Sequence, residues 1–175
     1  MSLTAPKSTC HCGEDDADVS GYSNPHESEH YHFTFGHAST SISWACGLAK
    51  GRDLKCEDGN VVAIIGDGSL SGGEALEALN YAAELDGNLI ILVNDNDMSI
   101  AKNHGGLYQN LRLLRETGGK AECNLFRAMG PAHRFVAAGN DIASLIEAFQ
   151  AVKASTQQVD VHTVTPQGQG TAPTA

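Results

Sequence analysis

The stretch Val61–Ile100, "VVAIIGDGSLSGGEALEALNYAAELDGNLIILVNDNDMSI", decides how this chain is read. It holds two apolar, β-branched runs, and each stops on glycines and oxygen-bearing side chains. Gly66-Asp67-Gly68 closes the first run and Asn94-Asp95-Asn96 closes the second. A continuous apolar run fits a strand covered on both faces, as in a parallel sheet. Between the runs, Ala75, Leu76, Leu79, Ala82 and Ala83 recur with a period near 3.6, which predicts a helix starting near Leu70 to Gly73 and ended by Gly87. The crossover from Ser69 to Val93 is 25 residues, long enough for the helix and turns of a βαβ unit.

The same alternation continues outward. "STSISWACGLAKGRDL" places Ile42, Ala45, Cys46 and Ala49 at helical spacing, with Ser39 or Thr40 as the cap and Cys46 as a small buried residue. Downstream, "NHGGLYQNLRLLRETGG" reads as loop then helix, and "AECNLFRAMG" as a short helix stopped by Gly130. "HRFVAAG" is a strand, "NDIASLIEAFQAVKAS" a helix beginning near Asn140 or Asp141, and "VDVHTVT" a last strand. The pattern predicts an α/β fold with a doubly wound, mostly parallel sheet. Residues 1–30 read as a polar tail or extended segment, 31–165 as the α/β domain, and 166–175 as a flexible C-terminus. There is no internal repeat.

Composition narrows the partners. The chain has 175 residues, 41% of them hydrophobic and 18% charged, which suits one domain with a buried core. A formal net charge of −10 argues against nucleic acid held on a broad basic surface. It leaves room for a small phosphorylated ligand gripped by backbone or metal. No apolar run approaches the roughly 18 residues of a membrane span, and the N-terminus lacks a signal-type apolar segment. No membrane partner is expected, and a cytoplasmic location is. The five cysteines are odd in number. Cys10-His11-Cys12 is half of a metal site at most, and its plain reading is a polar tail.

The two clusters point to one site. In an open parallel sheet, ligands bind outside the carboxyl ends of the strands. If the two strands are neighbours, their ends lie about 5 Å apart, and Asp67 and an asparagine of the second cluster can reach one point. A carboxylate, an amide oxygen and a backbone carbonyl make a hard-oxygen set suited to Mg2+ with phosphate oxygens in its shell. The helix N-terminus after Gly68 and Ser69 favours an anion. Each cluster alone has a plain reading: a βα turn for one, and for the other a turn satisfying its own backbone. Together, in order and at crossover spacing, they favour a metal-bound diphosphate.

These residues resemble the thiamine diphosphate motif of the transketolase superfamily, GDG followed by NDN. "GDGSLSGGEALEALNYAAEL", "VNDNDMSI", "FGHASTSISWACGLAKGRDL", "NDNDMSIAKNHGGLYQNL" and "LFRAMG" with "GNDIASLIEAFQAVK" look like the 1-deoxy-D-xylulose-5-phosphate synthases, from roughly Asp18 to Gly170. The resemblance implies a thiamine diphosphate-binding fold, in its PP-type domain. It implies Asp67, Asn96 and the Met98 main-chain carbonyl as Mg2+ ligands. Gly66, Gly68 and Ser69 would meet the diphosphate, and Gly36, His37 and Ala38 match the Gly-His-Ser/Thr element near the cofactor, with His37 the one catalytic candidate. The family reaction condenses pyruvate with glyceraldehyde 3-phosphate, with loss of carbon dioxide, and feeds isoprenoid, thiamine and pyridoxal precursors.

The departures shape the expectation. Ala38 stands where the family has a hydroxyl residue, and "PQGQGTAPTA" where it has a lysine-containing stretch. Full members also carry a pyrimidine-binding domain and a C-terminal domain. The chain is therefore expected to be inactive without a companion chain or further domains, and to form a homo-oligomer or such an assembly. The alternatives are a non-catalytic or degenerate cofactor-binding relative and a subunit of a split transketolase. An unrelated nucleotide binder is disfavoured, because no G-x-G-x-x-G follows a strand and no Walker-type lysine is present. Of the other polar residues, His104 reads as active-site mouth or solvated loop. Arg112 and Arg115 read as a solvated helix face or a substrate-phosphate contact, and Glu74 and Glu77 as helix-dipole charges. Asp95 and Asp97 read as acidic surface, with tuning of the site as the alternative. His30, His32, His133 and His162 have no partner at metal spacing.

Overall fold

Strands come from the β-branched runs and helices from the Ala- and Leu-rich periodic segments. The computed structural model describes residues 24–26, 33–34, 36–98 and 103–166. Cys10, His11, Cys12, His30 and His32, and most of the expected N-terminal tail, lie outside the described residues. The chain divides into two compact units, residues 1–38 and 39–175.

The second unit holds every helix and strand among the described residues. In order these are α1 (Ser41–Leu54), β1 (Val61–Gly66), α2 (Asp67–Leu70), α3 (Gly73–Ala82), β2 (Leu89–Asp95), α4 (Gly106–Glu116), α5 (Leu125–Met129), β3 (Ala132–Val136), α6 (Ile142–Val152) and β4 (Val159–Val164). The strands form one sheet in the order β1-β2-β4-β3. All three pairings are parallel. Gly66 stands opposite Asn94, Asn94 opposite Thr163, and Thr163 opposite Val136. The carboxyl ends of all four strands therefore share one edge.

Alternation along β2 shows why the sheet is doubly wound. Leu89, Ile91 and Val93 enter one core with Ile42, Ala45, Cys46 and Ala49 of α1, Leu79 of α3 and Leu111 of α4. Ile90 enters the other, with Val136, Val159, Val161 and Ala148 and Val152 of α6. Successive strand residues point to opposite faces, so a strand covered on both needs no polar alternation. Burying each such Leu, Ile or Val contributes about 1.5–3 kcal/mol. The expected buried positions of α1 are all buried, and burial pushes the Cys46 thiol up to about 11.

The crossover from β1 to β2 differs in detail from the expectation. Helix begins at Asp67 itself, pauses at Ser71-Gly72, resumes at Gly73 and ends at Ala82 rather than at Gly87. The pause has a packing cause. The Ser39 hydroxyl donates to the Ser69 carbonyl at 2.7 Å and fills the space a side chain at Gly72 would need. The Ser69 carbonyl also accepts from Gly72 N–H. Thr40 stands at the N-cap of α1 without a side-chain cap bond, while the cues at α5 and α6 hold. The Asp141 side chain caps α6 by accepting from Ser144 N–H, and Gly130, with φ of +112°, ends α5.

Candidate functional site

The shared edge brings the two clusters side by side. With Gly66 opposite Asn94, Asp67 and Asp95 are the next residues along neighbouring strands, about 5 Å apart in backbone spacing. Asp67 is 2% exposed and Asp95 fully buried. A Cβ added to Gly66 would meet no atom within 4 Å among the described residues, so the edge is open beside this junction.

Asp67 opens α2. Its Oδ2 accepts from Asn103 Nδ2 at 2.8 Å. Among the described residues no ion pair reaches it. Burial, and then the nearby Asp95 charge, raise its carboxyl above the usual carboxylate range, against the pull of Gly68 and Asp67 backbone N–H groups and of Asn103. Gly68 and Ser69 follow in the same turn, half-buried.

The three residues closing β2 do three different things. The Asn94 Oδ1 accepts from the Thr165 hydroxyl at 2.9 Å. Asp95 Oδ1 and Oδ2 accept from Arg115 Nη1 at 2.8 and 2.7 Å. His162 Nε2 lies 2.8 Å from Asp95 Oδ2. Burial works against the Asp95 carboxylate, yet His162, Arg115 and the guanidinium charge outweigh it and hold the group below its ordinary range. Asn96 turns its Oδ1 forward onto Met98 N–H at 3.1 Å, and Asp95 Oδ1 does the same to Asp97 N–H. Asp97 adopts φ of +61° between these two turns, a conformation Asp tolerates better than most side chains.

Asp95 therefore corrects the sequence reading: it is not acidic surface but a buried anchor. Arg115 is corrected with it. It is not part of a solvated face, since its side chain is 16% exposed and also reaches Asp97 Oδ1 at 2.6 Å. Arg112 does lie on a solvated face, paired with Glu116 four residues on. Glu74 stands exposed in the first turn of α3, as a helix-dipole charge would. His104 is exposed and, with Asp97, Asn103, Tyr108, Arg112 and Arg115, lines an open polar cavity of about 520 Å³.

His133 and His162 find carboxylates rather than metal-spaced ligands. His133 Nδ1 lies 2.6 Å from Asp160 Oδ2, and both rings pack against Phe126. Burial raises the Asp160 carboxyl, against the pull of His133 and His162. His133 Nε2 and His162 Nδ1 have no hydrogen-bond partner among the described residues. A carboxylate only accepts, so the ring nitrogen facing an ionised carboxylate is the one that donates.

Gly36, His37 and Ala38 belong to the first unit. There the three are exposed, and His37 Nδ1 lies 2.8 Å from the Ala38 carbonyl oxygen. Met98 is 38% exposed at the end of the β2 loop. Sequence reading missed Asn103 and the role of Arg115. The available signal was helical phase: Arg115 follows the buried Leu111 by four residues and borders the buried face of α4.

The residues present fit a divalent cation with a phosphate. Asp67 is a buried carboxylate lacking a charge partner among the described residues, on the strand edge where Asn94-Asp95-Asn96 closes the neighbouring strand. That donor set is hard oxygen throughout, as Mg2+ requires. No group of three or more His, Cys, Asp or Glu side chains gathers for a metal among the described residues, so amide and carbonyl oxygens would have to complete the shell.

The architecture is thus that of a parallel α/β domain with two buried aspartates where two adjacent strands end. A family model described as 1-deoxy-D-xylulose-5-phosphate synthase matches residues 3–122. The synthase of Desulforudis audaxviator is 37% identical over 207 residues, covering 98% of this chain and 33% of its own length. The synthase of Listeria monocytogenes is 38% identical, covering 89% of this chain and 26% of its own. That of Symbiobacterium thermophilum reaches 53% identity over 97 residues, 55% of this chain and 15% of its own. The chain belongs to the 1-deoxy-D-xylulose-5-phosphate synthase family. It spans a third or less of the length of these relatives. No helix among the described residues is long and apolar enough to cross a membrane.

Proposed function

We propose that this chain is the thiamine diphosphate- and Mg2+-binding portion of a transketolase-type synthase joining pyruvate to glyceraldehyde 3-phosphate with loss of carbon dioxide. One observation carries the reading. The parallel register sets Gly66 opposite Asn94, with Asp67 immediately beyond, buried and without an ion pair among the described residues. Asp67 would hold the metal with Asn96 and the Met98 carbonyl, and Gly66, Gly68 and Ser69 would face the diphosphate. Gly36, His37 and Ala38 would lie near the cofactor, with His37 the candidate for contact with reacting atoms. When bound, the cofactor supplies the nucleophilic carbon of such a condensation. The chain's own part is to bind, to orient and to fix charge. Companion residues from further domains, a second copy or a partner chain would complete the site.

Calorimetry on the full chain tests this. Thiamine diphosphate binding should require Mg2+, and Asp67→Ala should weaken it more than 100-fold, beyond the roughly 10–100-fold attached to residues behind the ligands. Metal-independent binding, or tighter binding of NAD or ATP, would overturn the reading. The chain alone should show no turnover, and supplying the pyrimidine-binding domain of a relative should restore a rate. Ala38 in place of a hydroxyl residue favours a second reading, a cofactor binder without catalysis. That reading predicts binding with no rate even after the domain is supplied.

A further inference from the structure

Arg115 stands on α4, nineteen positions beyond Asn96 in sequence, yet its guanidinium touches both residues that flank Asn96. Nη1 donates to both oxygens of Asp95, at 2.8 and 2.7 Å, and Nη2 to Asp97 Oδ1 at 2.6 Å. One planar cation therefore spans the residue between. The inner half of the grip is buried, with Asp95 fully so, while the Asp97 side chain is 55% exposed. His162 braces Asp95 at 2.8 Å. Inside the grip, Asp97 N–H is held by Asp95 Oδ1 and Met98 N–H by Asn96 Oδ1, both at 3.1 Å. A left-handed Asp97 turns the chain between them.

We propose that Arg115 is a positioning residue: by clamping Asp95 and Asp97 it fixes the Asn96 side chain and the Met98 carbonyl in the arrangement that receives the metal. The proposal rests on the cofactor reading above and adds a residue to it. Arginine suits the task for a physical reason. Its rigid fork offers parallel donors to two carboxylates at once, whereas a lysine ammonium is a point charge on a flexible stem. Arg115 makes no contact with the metal or the reacting atoms in this scheme. It acts through the loop, as groups behind metal ligands do.

Two variants of the full chain test the clamp, each with a readout that needs no cofactor. Arg115→Lys keeps a charge for Asp95 and loses the fork. Asp97→Asn keeps a side chain that tolerates left-handed backbone and takes the charge from the outer anchor alone. Hydrogen exchange at the Asp97 and Met98 amides should accelerate about 10-fold in Arg115→Lys, with the melting temperature of the metal-free chain close to that of the unaltered protein. The Mg2+ concentration for half-saturation, at fixed thiamine diphosphate, should rise about 10-fold in Arg115→Lys and about 3-fold in Asp97→Asn. If Arg115 only neutralises Asp95, Asp97→Asn leaves the Mg2+ requirement unchanged, and that result overturns the proposal. Unaltered exchange at both amides in folded Arg115→Lys overturns it as well. Should the unaltered chain show no Mg2+-dependent binding, the cofactor reading falls, while the exchange measurement still decides whether Arg115 holds the loop.

Discussion

Two aspartates stand level where β1 and β2 end, each one residue past the Gly66–Asn94 pair, and the protein treats them in opposite ways. Asp95 is surrounded by its own countercharge: Arg115 donates twice to it and His162 lies within hydrogen-bond distance. Asp67 is as thoroughly buried, yet among the described residues it receives an amide hydrogen from Asn103 and local backbone N–H groups, with no cation. Burying a carboxylate without a charge partner is costly. Among the described residues, one strand end is thus completed by internal countercharge and the other is not. On the function proposed above, Asp95 serves the architecture and Asp67 the ligand.

Removing the Asp95 carboxylate should have the largest effect on stability. Asp95→Ala strands the Arg115 guanidinium near a buried surface and leaves His162 Nε2 without its partner. Breaking a buried pair from one side costs about 3–5 kcal/mol, read as a lower midpoint in urea denaturation. Asp67→Asn should act with the opposite sign. It removes a charge that no cation among the described residues balances and keeps an oxygen for Asn103, so the metal-free chain should gain about 1 kcal/mol, as strained functional sites do when relieved. Adding Mg2+ and thiamine diphosphate should reverse the order, stabilising only the chain that retains Asp67. A loss at Asp67→Asn as large as that at Asp95→Ala would erase the contrast.

The pH dependence sharpens the same comparison. The folded Asp95 carboxyl titrates below its unfolded value, which for aspartate is about 3.9. Its contribution is present above that value and lost as pH falls through the folded one. Asp67 is raised. Between its unfolded and folded values the folded chain holds the extra proton, so stability falls as pH rises across that window. Urea denaturation of each variant against the unaltered chain should show the Asp95→Asn cost shrinking in acid. The Asp67→Asn gain should vanish below about pH 3.9 and grow toward neutrality, by about 1.4 kcal/mol for each pH unit separating the two values. Parallel pH profiles for the two variants would contradict the opposed roles.

What could be read from sequence follows from how local each cause is. The apolar runs of β1 and β2, the spacing of Ile42, Ala45, Cys46 and Ala49, the Asp141 cap and the Gly130 stop are set by near neighbours, and all appear in the structure. The pairing of β1 with β2 was legible as a crossover length and is realised with Gly66 opposite Asn94. The break at Ser71-Gly72 was not legible, because it depends on Ser39 arriving from a segment thirty residues earlier. Asp95 and Arg115 were misjudged for a similar reason. An aspartate in Asn-Asp-Asn looks like solvated acid until β4 and α4 bring a histidine and an arginine from 67 and 20 residues away. His133 and Asp160 meet only because β3 and β4 lie in register.

The smallest expected effect tests the Asp67 side of the contrast most directly. Asn103 is the one side chain seen to donate to Asp67 among the described residues. It is half-buried, so water can replace part of what it offers, and Asn103→Ala should cost about 1 kcal/mol. The bond goes to a carboxylate, and its strength depends on the charge it faces. In an Asp67→Asn background the same truncation should therefore cost less. A double-mutant cycle in the metal-free chain should return a coupling of about 0.5–1 kcal/mol between positions 67 and 103. With Mg2+ and thiamine diphosphate bound, the cation shares the Asp67 charge and the coupling should shrink. A coupling of zero in the metal-free chain would mean that Asn103 does nothing to hold the charge of Asp67, and the difference between the strand ends would then rest on Arg115 and His162 alone.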